Sequence, residues 1–146
     1  MKQTIAILSA AGVLMMSGSY VTVRAQAPAG AKSVTQGVYT AEQATRGKML
    51  YTENCAACHG DDLAGSGPMP PLAGSEFLAS WKDKTVGDLF DKTHSSMPAS
   101  APGTLSEQQT SDILAYVFSV GKFPAGTAEL AAKQDQLSTI KIEAPK

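Results

Sequence analysis

Apolar positions recur most regularly in "EQQTSDILAYVFSVGK", where Ile113, Tyr116, Val117 and Val120 fall at helical spacing. Ser106 with Gln109 gives this segment an N-terminal capping signal, and Gly121 to Pro124 ends it. A second helix is predicted over "AEQATRGKMLYTEN", with Thr40 as its cap and Gln43 completing a capping box. Gly47 in the middle of that helix costs about 1 kcal/mol relative to Ala. Such a cost makes sense where another helix must come close. Two shorter helices follow: one over Ser75 with "EFLASW", and one over "VGDLFDKTH", capped by Thr85 with Asp88. In the latter, Val86, Leu89 and Phe90 share a face. "GDDLAGSGPMPPLAG" and "SSMPASAPGT" are dense in Gly, Pro and Ser and read as loops. No core stretch alternates as a strand would, so the expected fold class is all-α.

The two ends differ from this core. Lys2 followed by the short, mostly apolar run from Ile5 to Met16, then small residues at Val23 and Ala25, reads as a cleaved signal peptide over 1–25. A cut after Ala27 also satisfies the small-residue rule but would set Pro28 beside the scissile bond. The apolar run is too short for a membrane anchor, and Gly12, Ser17 and Gly18 weaken it further. Residues 26–39 are expected to be a flexible lead, 40–124 the folded domain, and 125–146 a weakly patterned tail.

Charge narrows the function classes. The chain has 12 basic and 13 acidic residues, and nothing in that balance points to nucleic acid or to an anionic membrane surface. Loss of Lys2 and Arg24 with the leader leaves a net charge of −3, from 10 basic and 13 acidic residues. An exported, mildly acidic protein is expected, in the periplasm and without a transmembrane anchor after cleavage.

The chemistry-bearing stretch is "YTENCAACHG". It holds the chain's two cysteines, Cys55 and Cys58, with His59 directly behind them. A redox-active dithiol would sit on a βαβ pattern, which is missing. A zinc site needs four ligands, and adding His94 still leaves the set one short without a carboxylate. A structural disulfide closing so short a loop contributes little. The remaining reading is covalent haem, each thiol adding to a vinyl group and His59 ligating iron from the same turn. Export agrees with it, because c-type haem is commonly attached outside the cytoplasm.

From about Thr40 to Pro124 the chain resembles a class I c-type cytochrome. The residues that carry the resemblance are Gly47, "CAACHG", "PPLAG", "SSMPA" and "DILAYV", in the order that family uses. The resemblance implies a small cytochrome c fold around one haem c, with Gly47 meeting Tyr116 where the first and last helices cross. It implies Met97 as the sixth iron ligand. His94 and Met69 are the alternatives, His94 being better suited to a helix end and Met69 lying in the loop behind the proximal histidine. It assigns the carbonyl that orients His59 to Pro70, with Pro71 as the neighbouring register. Trp81 matches a tryptophan that hydrogen-bonds a haem propionate, a core aromatic being its other role. Leu72, Phe77, Leu89, Phe90 and Ile113 would line the haem pocket.

A His/Met iron has no open position, which leaves one-electron transfer as its chemistry. The resemblance therefore implies an electron carrier rather than an enzyme, either a soluble protein or a small cytochrome subunit. Donors of the kind expected are quinoprotein dehydrogenases, and acceptors are terminal oxidases. The competing expectation is a haem protein that binds or turns over peroxide, nitric oxide or carbon monoxide at an open or labile sixth site.

Overall fold

The computed structural model describes residues 30–144. The signal peptide expected over 1–25 lies outside the described residues. Six helices follow a short 3-10 turn at Val34–Gln36: α1 (Ala41–Asn54), α2 (Ala56–His59), α3 (Gly74–Trp81), α4 (Val86–Ser96), α5 (Glu107–Val120) and α6 (Gln134–Leu137). Among the described residues the only β pairing is isolated bridges, so the all-α expectation holds.

Three helix starts follow their capping residues. The Thr40, Thr85 and Ser106 side chains accept the backbone N–H of Gln43, Asp88 and Gln109 respectively. The reciprocal half of the capping box forms at Asp88 and Gln109 but not at Gln43. Gln43 is fully buried and does different work. Its amide nitrogen donates to Ser111 Oγ (3.1 Å) and to the Leu130 carbonyl (3.1 Å), and its Oε1 accepts the Leu130 N–H (2.6 Å). One side chain thus ties α1 to α5 and to the segment beyond α5.

The principal interface is α1 on α5. A Cβ at Gly47 would lie 1.8 Å from the Asp112 carbonyl oxygen and 3.1 Å from Tyr116 Cβ. The two backbones touch there, and only a glycine fits. A fork from Arg46 pins the same crossing, Nε to Asp112 Oδ2 at 3.0 Å and a terminal nitrogen to Oδ1 at 3.1 Å. The same guanidinium reaches Glu129 at 2.8 Å. Asp112 is buried, and these bonds offset the cost of holding its carboxylate out of water.

The ends of the chain depart from the sequence reading. The lead does not hang free from residue 30 onward: Val34, Val38 and Tyr39 are buried in the core. Burial pushes up the pKa of the Tyr39 hydroxyl, which donates to the Phe123 carbonyl at 2.7 Å. The tail folds back as a strap that buries Leu130, Leu137, Ile140 and Ile142. Lead and strap pair through Val34 N–H to Lys141 O (3.0 Å) and Lys141 N–H to Lys32 O (2.8 Å). Each segment is too short to show a period, and its apolar residues are buried only where lead, strap and helices come together. Burial of each such aliphatic side chain stabilises by about 1.5–3 kcal/mol.

Gly47→Ala tests the crossing. In an exposed helix this change would stabilise by about 1 kcal/mol, whereas here it should destabilise by about 2–3 kcal/mol through forced separation of α1 and α5. Denaturant unfolding of the purified protein measures it. A midpoint equal to or above wild type would contradict the close approach.

Candidate functional site

The motif stretch forms a single tight turn. Cys55 closes α1, its N–H donating to the Tyr51 carbonyl (2.8 Å), and its own carbonyl accepts the N–H of Cys58 (3.1 Å) and His59 (3.0 Å). Cys55, Cys58 and His59 therefore sit on successive corners of one helical turn. Both cysteines are unbridged, Cys55 half-buried and Cys58 exposed. Burial, with the neighbouring Cys58 adding to it, pushes the Cys55 thiol up to about 11. A nucleophilic redox dithiol needs the opposite shift. Among the described residues no three His, Cys, Asp or Glu side chains gather as a metal cluster, so the zinc reading finds no ligand set.

His59 is 8% exposed, and its Nδ1 lies 2.9 Å from the Pro70 carbonyl oxygen. A carbonyl only accepts, so Nδ1 carries the proton and Nε2 presents its lone pair. No described residue hydrogen-bonds Nε2. That is the tautomer a metal-ligating imidazole requires, with the second nitrogen held by an oxygen.

The loop that delivers Pro70 is itself fixed. Gly65 N–H donates to the His59 carbonyl (2.9 Å), Leu72 N–H donates to the Leu63 carbonyl (2.8 Å), and Ser66 bridges to Met69. Leu63 is fully buried at a left-handed φ of 63°, anchoring the loop by its side chain while its backbone turns. A Cβ on Gly65 would stand 2.4 Å from the Met69 carbonyl oxygen and 2.9 Å from the Pro70 carbonyl carbon. Met69, directly before Pro70, is exposed at 37%.

Tyr51 was not among the residues singled out from the sequence. It is buried on α1, its ring centroid is 5.3 Å from that of Tyr116, and its hydroxyl donates to the Gly60 carbonyl at 2.7 Å. Burial raises its pKa, so the hydroxyl keeps its proton and the bond. It clamps the residue directly after His59 to the helix directly before Cys55. Its place four residues after Gly47, on the same helix face, is the signal that could have marked it.

Met97 caps the C-terminus of α4, half-buried, with its N–H on the Thr93 carbonyl at 3.0 Å. His94, one turn earlier, stacks on Phe90 (centroids 5.8 Å apart) and has a long 3.4 Å contact from Nδ1 to Thr110 Oγ1. Trp81 ends α3 against Phe77, with Lys84 Nζ 4.8 Å above its ring. Phe77, Leu89, Phe90 and Ile113 are buried in one apolar cluster, with half-buried Leu72 packed on it.

The arrangement fits a covalently held haem. Two unbridged thiols, an oriented imidazole lone pair and an apolar cluster come from one turn and its neighbours.

Comparison with known proteins agrees. The family profile described as "Cytochrome C oxidase, cbb3-type, subunit III" matches residues 42–117, a little over half of the chain. Over 81 residues the chain is 37% identical to the Cbb3-type cytochrome c oxidase subunit FixPc of Rhizobium leguminosarum bv. viciae, a match covering 53% of this chain and 28% of that protein. The chain thus spans under a third of that relative's length. A looser likeness, with a TM-score of 0.48 and 25% identity, is to the sulfane dehydrogenase SoxCD from Paracoccus pantotrophus, covering 67% of this chain and 52% of that one. The chain belongs to the cytochrome c family whose profile it matches, and its cofactor is haem c.

Proposed function

We propose that this chain is an exported electron-transfer cytochrome working in an oxidase or dehydrogenase chain, and is not itself an enzyme. Cys55 and Cys58 would hold the haem, and His59 and Met97 would ligate its iron. The observation that carries this reading is His59: its Nδ1 is engaged by Pro70 and its Nε2 is left as a free lone pair, directly behind the paired thiols. The bound haem supplies reversible one-electron chemistry between ferric and ferrous iron.

The protein's own residues set the conditions for that chemistry. The Pro70 carbonyl fixes the imidazole plane and makes the ring a stronger donor. Tyr51 holds the turn that carries both thiols and the histidine. The thioether of Met97 favours the ferrous state and raises the potential. With His59 and Met97 both committed to the iron, a substrate would find no open position there, and the haem would serve to exchange electrons with a partner. The loops "GSGPMPPLAG" and "SSMPASAPG" are nearly free of charge and suit brief docking of a redox partner. No helix among the described residues is long and apolar enough to cross a membrane. A quinoprotein dehydrogenase as donor and a terminal oxidase as acceptor fit such a protein.

Two sets of variants test the reading. Met97→Ala should abolish the weak far-red sulphur-to-iron band of the ferric protein, lower the potential and open the ferrous iron to carbon monoxide. His94→Ala and Met69→Ala should leave the band in place. A band lost in His94→Ala but kept in Met97→Ala would reverse the ligand assignment.

Gly65→Ala addresses the other side of the ring. The added methyl displaces the Met69 and Pro70 backbone and weakens the bond to His59. A poorer imidazole donor stabilises ferric iron less, so the potential should rise while the far-red band persists. Potentiometric titration beside wild type reads it, and an unchanged potential would show that the Pro70 carbonyl does not tune the iron.

A further inference from the structure

The family match ends at residue 117, yet the chain continues as an ordered strap whose main helical contact is α4. We propose that this strap positions the distal ligand: by seating α4 through Gly87, it holds Met97 where the iron can take it. The proposal rests on the reading of Met97 as the axial ligand.

Two hydrogen bonds lock the N-terminal end of α4 to the strap. Val86 N–H donates to the Ile140 carbonyl at 2.8 Å and Ile142 N–H donates to the Lys84 carbonyl at 3.0 Å, which together pair Thr85 with Lys141. The third contact is backbone on backbone. A Cβ on Gly87 would lie 2.9 Å from the Gln134 carbonyl oxygen, 2.9 Å from Ser138 Cα and 3.0 Å from Ser138 N. Gly87 is buried in the first turn of α4, where the missing side chain lets α6 settle on the backbone. On its other side α4 packs less extensively on α5 than on α6. Its C-terminal end reaches α5 through the long His94–Thr110 contact.

The geometry makes α4 a lever. Its 11 residues span roughly 16 Å at 1.5 Å per residue. Seated at one end by the strap, it carries Met97 at the other. A tilt of about 5° at the Gly87 end moves the far end by about 1.4 Å, ample to stretch a thioether–iron bond when site geometry must hold to about 0.5 Å. Gly87 is therefore a positioning residue that never touches the haem.

The test uses the full-length, haem-loaded protein. Gly87→Ala should keep the haem attached while the far-red ferric band falls and the apparent carbon monoxide affinity of the ferrous form rises roughly tenfold. That rise corresponds to a tenfold larger methionine-off population. Ile140→Val, a milder loosening of the strap without a clash, should shift both readouts in the same direction by less, and it decides the matter if Gly87→Ala does not fold. Tyr39→Phe is the control: it removes the bond to the Phe123 carbonyl and lowers global stability away from α4, and should leave band and carbon monoxide affinity at wild type.

If Ile140→Val, and Gly87→Ala where it folds, lower the unfolding midpoint but leave both readouts unchanged, the strap merely stabilises the fold and the proposal falls. It also falls if Tyr39→Phe moves the readouts as far as they do. If the band survives in Met97→Ala, the ligand reading has failed and takes this proposal with it. Loss of the band in Met97→Ala without a response to the strap variants refutes the proposal alone.

Discussion

A hydrogen bond of 2.9 Å between His59 Nδ1 and the Pro70 carbonyl organises the rest of the structure around the site. It decides the tautomer of His59 and leaves Nε2 with a lone pair. It also demands that a loop eleven residues further along return to the haem-binding turn. The backbone bonds from Gly65 to His59 and from Leu72 to Leu63, with buried Leu63 as the loop's apolar anchor, meet that demand. On the other side of the turn the Tyr51 hydroxyl holds Gly60. The nucleophilic thiol of a dithiol enzyme would need a lowered pKa, whereas burial here raises that of Cys55.

The turn needs a rigid base, and the α1–α5 crossing supplies it. α1 runs directly into Cys55, so any play in its packing reaches the haem. Contact of Gly47 with the Asp112 backbone brings the helices to their closest approach, and the Arg46 fork fixes their register. Buried Gln43 extends the same base to the strap. From α5 the strap returns over α4, so both ends of the haem-binding region refer back to one pair of crossed helices.

Much of this was legible in the sequence because the signals were local. The helix caps at Thr40, Thr85 and Ser106, the 3.6-residue period of α5 and the Cys-x-x-Cys-His spacing each act within a few residues. Gly47 was legible for another reason, since an unexplained glycine inside a helix marks a close neighbour. The Gln43 capping box failed because a buried side chain with three tertiary hydrogen bonds outweighs one exposed bond at a helix start. The lead and strap were missed because Val34, Val38, Leu137, Ile140 and Ile142 are scattered through polar, small-residue segments. Their burial depends on pairing between residues about a hundred positions apart, which no local period reveals. Gly87 looked ordinary for the same reason.

The central claim is that the chain fills both axial positions of a covalently attached haem and leaves the iron only an electron to exchange. Optical spectra of the wild-type protein, oxidised and reduced, before and after carbon monoxide, test it most directly. The account predicts a covalently bound low-spin haem in both states, a far-red band in the ferric form and carbon monoxide binding far weaker than that of the Met97→Ala variant. Ready carbon monoxide binding by the wild-type ferrous protein would contradict it and indicate a haem that handles small ligands.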